Sequence, residues 1–175
     1  MMNIYVVVAG TIFIVLFSWF LSIKHKRYHG IARFFAFESI FILFLLNYKA
    51  WFHDPFSPLH ILSWILLIFS IYPVTAGFIL LKKAGKPKGN FEDTTVLVRS
   101  GIYGYIRHPL YLSVLLLGTG IMLKVIEPLQ LFLGAVNLIA LIFTALIEEN
   151  EMIARFGDSY REYMKETKMF IPHII

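Results

Sequence analysis

The sequence predicts an all-α integral membrane protein. Five transmembrane helices are expected, the fourth and fifth forming a hairpin, with a cytoplasmic C-terminal helical tail behind them. Three observations carry this. Of 175 residues, 58% are hydrophobic and only 15% are charged, with a mean hydropathy of +0.73. A soluble domain needs about a quarter of its residues charged to cover its surface. The apolar residues gather into runs of spanning length, and the lysines and arginines cluster at one end of those runs.

The runs cover residues 4–23, 31–46, 59–81 and 129–147, with a shorter fifth over 109–123. Spanning takes about 20 apolar residues, so the run over 109–123 relies on the aromatic segment before it, residues 102–106, to reach the interface. The first run has no basic n-region and no small-residue cleavage site, and is expected to be a retained helix. Pro73 and Gly77 are expected to kink the third run.

Lys24, Lys26, Arg27 and Arg33 lie between the first two runs. Lys82, Lys83, Lys86, Lys88, Arg99 and Arg107 follow the third, and Arg155, Arg161, Lys165 and Lys168 follow the last. These 14 face one side, against Lys49 and Lys124 on the other. The positive-inside rule then puts the N-terminus outside and the C-terminus in the cytoplasm. The net charge of +5 is accounted for by topology and anionic lipid, which removes the nucleic-acid reading. The absence of cysteine excludes disulfides, thiolate metal sites and a cysteine nucleophile.

The link over residues 82–108 is long for a simple reversal, and long ordered loops tend to be functional. Residues 94–98 are β-branched and expected to run extended. Pro109 suits a first helical turn, where its missing N–H is not needed. The tail reads as a helix over residues 148–155, a break at Phe156-Gly157-Asp158 and a second helix over 159–165. Met152, Phe156, Tyr160, Tyr163 and Met164 recur at spacings of three and four, which suits a helix lying on the membrane surface.

Only residues 124–128 separate the last two runs, so they form an antiparallel hairpin. At 1.5 Å per residue the two runs rise ~22 and ~28 Å, which brings Arg107-His108 and Glu148-Glu149 to nearly the same depth. The acidic pair is therefore the expected partner of Arg107. Both charges oppose the helix dipole, which favours anions at N-termini and cations at C-termini. Snorkelling anchors are the competing reading.

Elsewhere, Glu38 is an intramembrane acid, a functional candidate or half of a structural pair. Asn137 is expected to act as helix–helix glue. His25 and His29 have a metal-like spacing, but the cations around them disfavour a metal, and no metal site is expected. Trp51, Phe52 and Phe56 read as an interface belt.

The stretches "LVRSGIYGYIRHPLY" and "EENEMIARFGDSYREY…FIP" together resemble the isoprenylcysteine carboxyl methyltransferase family and its phospholipid-methyltransferase relatives. The matching positions are Leu97, Val98, Gly101, Tyr103, Arg107, His108, Pro109, Tyr111, Glu148, Glu149, Phe156, Gly157, Tyr160, Tyr163, Ile171 and Pro172, within residues 95–172. Ser113 stands where the pattern has glycine, and Met152 where it has leucine.

The resemblance implies methyl transfer from S-adenosyl-L-methionine to the carboxylate of an isoprenylcysteine-like, lipid-embedded acceptor at the cytoplasmic face. A phospholipid headgroup or another small lipophilic acceptor is the alternative. It also implies that Thr95, Val96, Leu97, Val98 and Tyr103 line the cofactor, that His108, Pro109, Leu110 and Tyr111 hold it, and that Glu148 takes its amino group. Arg107 is expected to orient the acceptor carboxylate, with Glu149 bracing it or touching the acceptor. His108 is expected to make a fixed hydrogen bond. No G-x-G-x-x-G follows a strand, which excludes a Rossmann methyltransferase. An NADPH-dependent sterol-type reductase shares part of the C-terminal pattern, but the acidic pair and Phe156-Gly157 favour the methyl donor. A non-catalytic scaffold is the remaining reading. The chain is expected to form one domain, residues 1–81 supplying three helices and 82–175 the cofactor-binding and catalytic part, with no obligate protein partner inferred.

Overall fold

The computed structural model describes residues 3–89 and 91–172. Among them the regular secondary structure is helical: α1 (Ile4–Leu21), α2 (His29–Asn47), α3 (Pro58–Phe69), α4 (Ile71–Ala84), α5 (Pro109–Met122), α6 (Pro128–Phe156) and α7 (Asp158–Glu166). Local chemistry sets several starts. The Asn3 side chain accepts from the Tyr5 N–H, and Ser57 accepts from His60. Pro58, Pro109 and Pro128 occupy first turns.

Four spans are long and apolar enough to cross a membrane: Ile4–His25, His29–Ala50, Pro58–Ala84 and Pro128–Phe156. The helix Pro109–Met122 has 14 residues and rises ~21 Å, short of the hydrocarbon thickness of about 30 Å. The third span breaks where α3 ends at Phe69 and α4 begins at Ile71. Pro73 has no N–H to give to the carbonyl four residues back, that of Phe69, so the helix stops there. Ser113, the residue in place of the pattern's glycine, donates its Oγ–H to the Ser70 carbonyl at 2.6 Å. Its hydroxyl satisfies a carbonyl at the break.

The tail departs from the expected division. Residues 148–155 are not a separate helix, because α6 runs unbroken for 29 residues. Hydropathy stops at Ile147, but Glu, Met and Ala are good helix formers, so the helix continues. At ~44 Å it outruns the hydrocarbon and carries its acidic residues past it. Gly157, at φ 60 and ψ −133, turns the chain into α7 in a conformation open almost only to glycine. The apolar stripe of the tail does not face lipid: Met152, Tyr160 and Tyr163 are buried together, with Leu97, Phe156 and Met164 packed on them.

The core is α2 against α6, with α5 wedged between that pair and α3–α4. Lipid tails are as apolar as leucine, so these helices are held by close packing and polar contacts. Ala36, Ala140 and Ala145 are buried at the α2–α6 core. Asn137 donates to the Ala36 carbonyl at 3.0 Å, Asn47 to that of Ile121 at 2.8 Å, and Ser63 to that of Gly120 at 2.6 Å. Glu38 accepts from Thr11 at 2.6 Å, tying α2 to α1. Of the outer aromatics, Trp51 is half-buried against Trp64, while Phe52 and Phe56 are exposed.

Candidate active site

The long link folds back on itself at one end of the bundle. The Gly85 carbonyl accepts from the N–H groups of Thr95 and Val96 at 2.8 and 3.1 Å, and the Lys88 N–H donates to Asp93 at 3.0 Å. Residues 94–98 form no strand; they pass as irregular chain over the end of α6. Gly101 has φ +58, and a Cβ there would sit 2.7 Å from Leu80, so the turn into the 3-10 segment Gly101–Gly104 needs glycine. The last described residues then clip onto the motif: Arg107 and His108 donate their N–H groups to Lys168 and Met169 at 2.8 and 3.1 Å.

Arg107 and Glu149 meet where the hairpin puts them. The guanidinium Nε donates to Glu149 Oε1 at 2.7 Å, and Nη1 donates to the carbonyls of Met164 and Thr167. Two of its donor positions are thus committed to bracing the end of α7. His108 Nε2 lies 3.1 Å from the same carboxylate oxygen. An ionised carboxylate only accepts, so that nitrogen carries the proton. The His108 ring stacks on Tyr111 at 5.4 Å and 15°. Glu149 is 4% exposed and holds both side chains.

Glu148, one residue earlier, faces a cavity of about 330 Å³, with His108 Nδ1 at 3.7 Å and Arg27 Nη2 at 3.9 Å from its carboxylate. Its carboxylate is therefore available to a ligand. Leu97, Val98, Tyr103, Arg107, His108, Pro109, Leu110 and Tyr111 line the same cavity. Thr95 and Val96 do not: both are exposed, and Thr95 Oγ1 bonds the Lys86 carbonyl at 2.8 Å. Thr94 takes their place on the wall. The rest is largely apolar, from Phe17 and Leu21 of α1, Phe37 of α2, Val74, Phe78 and Leu81 of α4 and Val114 of α5, with Arg33 of α2 and Glu92 of the long link as its charged members. Tyr103, Tyr160 and Tyr163 also border it, and burial pushes all three phenols above their ordinary range. They are protonated donors at neutral pH.

A second group of charges adjoins the cavity, and sequence reasoning did not assemble it. Arg33 Nη1 donates to Glu92 Oε1, and Arg33 Nη2 to Ser22 Oγ at 2.6 Å. Arg27 reaches Glu92 Oε2 and Glu151 Oε2, each at 3.3 Å. The ring nitrogens of His29 face Glu151 at 2.9 Å and Glu92 at 3.5 Å. Burial raises the Glu92 carboxyl, but the His29 hydrogen bond and the Arg33 and Arg27 charges outweigh it and hold it down to about 2. Three segments distant in sequence, residues 22–33, the long link and the end of α6, meet in this knot. The available signals were an arginine one turn into an apolar helix and a lone acidic pair, Glu92-Asp93, in a basic loop. Among the described residues no group of His, Asp or Glu is arranged to hold a metal.

A family model described as phospholipid methyltransferase matches residues 58–159, more than half of the chain. The chain belongs to the phospholipid methyltransferase family. It is similar to the protein-S-isoprenylcysteine O-methyltransferase of Schizosaccharomyces pombe, 29% identical over 136 residues, covering 63% of this chain and 53% of that protein. It is also similar to methanethiol S-methyltransferase 1 of Bradyrhizobium diazoefficiens, 32% identical over 71 residues, covering 41% of this chain and 24% of that protein. The chain thus spans about half the length of the first relative and a quarter of the second. No solved structure matches it.

Proposed function

We propose that the chain transfers a methyl group from S-adenosylmethionine to the carboxylate of an isoprenylcysteine-like, lipid-embedded acceptor at the cytoplasmic membrane face. The observation that carries this is the two-sided cavity: one wall presents the Glu148 carboxylate beside Arg107 and His108, the other is largely apolar, with Arg33 and Glu92 as its charged members, and is built mainly from the apolar helices α1, α2, α4 and α5. Its volume of about 330 Å³ lies at the lower end of small-molecule sites, about 300–1,000 Å³. A carboxylate with distant cation partners suits an ammonium, and the rim of Leu97, Val98, Tyr103 and Tyr111 suits a flat adenosyl group, so these residues fit the donor.

When bound, the donor supplies an electrophilic methyl group on a sulfonium. Glu148 takes the amino group, and His108, Pro109, Leu110 and Tyr111 shape the pocket around it. Thr95 and Val96 act as the frame that presents Thr94, Leu97 and Val98. Glu149 fixes Arg107 and His108, leaving Arg107 Nη2 as the donor position with no carbonyl or carboxylate bond among the described residues. Arg107 then orients the acceptor through that group rather than through a paired fork.

The carboxylate acceptor asks least of the cavity. A carboxylate is already ionised at neutral pH and needs no general base. An amine or thiol would need one, and with the tyrosines protonated that task would fall to Glu148 or to the free ring nitrogen of His108. A phospholipid headgroup amine is the second reading, favoured by the family match, with Glu148, rather than the arginine-bound Glu92, placed to take its proton.

The orientation rests on the charge count. The link after α1, the link after α4 and the end of α6 meet in the Arg27–Glu92–Glu151 knot, so the basic segments share one end of the bundle with the site. That supports a cytoplasmic site, an outside N-terminus and five crossings with α5 as the short one, in a single domain. The test is incubation with methyl-labelled S-adenosylmethionine and either a prenylcysteine mimic or phosphatidylethanolamine. The expected product is a labelled ester of the mimic that hydrolyses in mild base. A base-stable label on phosphatidylethanolamine alone would overturn the carboxylate reading.

A further inference from the structure

Arg33 is not explained by the roles above. It enters the cavity wall from α2, across from the motif residues. It is 4% exposed, with Nη1 on Glu92 and Nη2 on Ser22. Its Nε is buried with no hydrogen-bond partner among the described residues. A buried, charged N–H left unmade is costly, so a partner for it is expected, and a cavity beside it offers the place for one. Arg33, Glu148 and Tyr111 line this one cavity. A fixed cation and a fixed carboxylate therefore border one cavity near Tyr111. That arrangement suits a ligand carrying both charges on neighbouring atoms.

We propose that Arg33 and Glu148 are the two arms of a clamp for a zwitterion, the carboxylate and the ammonium of the methyl donor's amino-acid end. This rests on the methyl-donor reading and adds a residue from the N-terminal half, outside the motif region. Arg33 is a binding and positioning residue here: it fixes the amino-acid end, while the reacting methyl lies elsewhere in the cavity. Glu92 is then the internal counter-charge that keeps Arg33 ionised and aimed while the cavity is open. The clamp also gives a reason for the length of the residue 82–108 link, which carries Glu92 to α2 as well as Leu97 and Val98 to the cavity.

The test uses the full chain in lipid nanodiscs and two probes: S-adenosylhomocysteine, and the analogue in which its α-carboxylate is replaced by hydrogen. Calorimetric titration of the native chain is expected to favour S-adenosylhomocysteine by about tenfold to a hundredfold, the range for a hydrogen bond to a charged group. Arg33→Met is expected to lose that preference and to bind both probes as the native chain binds the decarboxylated one. Because Arg33→Met takes the partner from Glu92 Oε1, the same titration is run on Arg33→Met with Glu92→Gln, which removes that carboxylate charge. Equal affinity of the native chain for both probes would overturn the clamp while leaving the methyl-donor reading intact. An equal loss for both probes in the double variant would also overturn it, since Arg33 would then be structural. Failure of the native chain to bind either probe would overturn the donor reading, and the clamp with it.

Discussion

Replacing Glu149 by alanine removes one buried carboxylate and strands two groups at once. Arg107 loses its 2.7 Å bond and His108 its 3.1 Å bond, and neither is free to turn to water, since the Arg107 side chain is 9% exposed and that of His108 4%. Breaking a buried ion pair from one side costs about 3–5 kcal/mol, because the remaining charge is left uncompensated. For a chain of this size that corresponds to about 10 °C in the unfolding midpoint. Thermal unfolding in detergent by near-UV circular dichroism reads it directly. Removing both charges together, Arg107→Met with Glu149→Met, is expected to recover part of the loss, since the orphaned guanidinium is what costs most. The account of Glu149 as a brace would be refuted by a Glu149→Ala midpoint within about 2 °C of the native one, a difference worth less than about 1 kcal/mol.

Other substitutions separate the remaining elements. Glu92 has a folded pKa of about 2 against an ordinary 4.5, so its ionised form stabilises the fold above pH 4.5. That contribution is lost as the pH falls toward 2. The difference corresponds to about 3 kcal/mol; Glu92→Gln should be less stable by that order at pH 7, with the gap to the native chain closing on acidification from 4.5 toward 2, as chemical denaturation across that range would report. Ser113→Gly restores the family residue but orphans the Ser70 carbonyl, and should lower stability by about 1 kcal/mol without changing the affinity for S-adenosylhomocysteine in calorimetry.

The sequence made the helices and the hairpin legible because both are local properties. Runs of apolar residues mark the spans, and the five-residue link between α5 and α6 leaves one geometry, so spacing alone brings Arg107 to the acidic pair. Which glutamate it takes was not legible: Glu148 and Glu149 point about 100° apart on a helix, and only the packed neighbours decide which one is buried. The end of α6 was misjudged because hydropathy falls at Ile147 while helix propensity does not. The apolar stripe of α7 was read as lipid-facing because spacing reports a face, not what covers it; here the cover is Leu97 of the long link. The Arg27–His29–Arg33–Glu92–Glu151 knot was invisible for the same reason, since its partners lie 59 to 124 residues apart and no periodicity connects them. Arg33 read as a positive-inside residue, which its position also supports, and its place on the cavity wall followed only from the fold.

The central claim is that one cavity, with Glu148 facing it, receives the methyl donor. It is tested most directly by calorimetric titration of S-adenosylhomocysteine into the native chain and Glu148→Ala. The account predicts saturable binding by the native chain and an affinity about tenfold to a hundredfold weaker in the variant, with the unfolding midpoint of the two apo proteins the same. Unchanged affinity in Glu148→Ala, or no binding by a folded native chain, would contradict it.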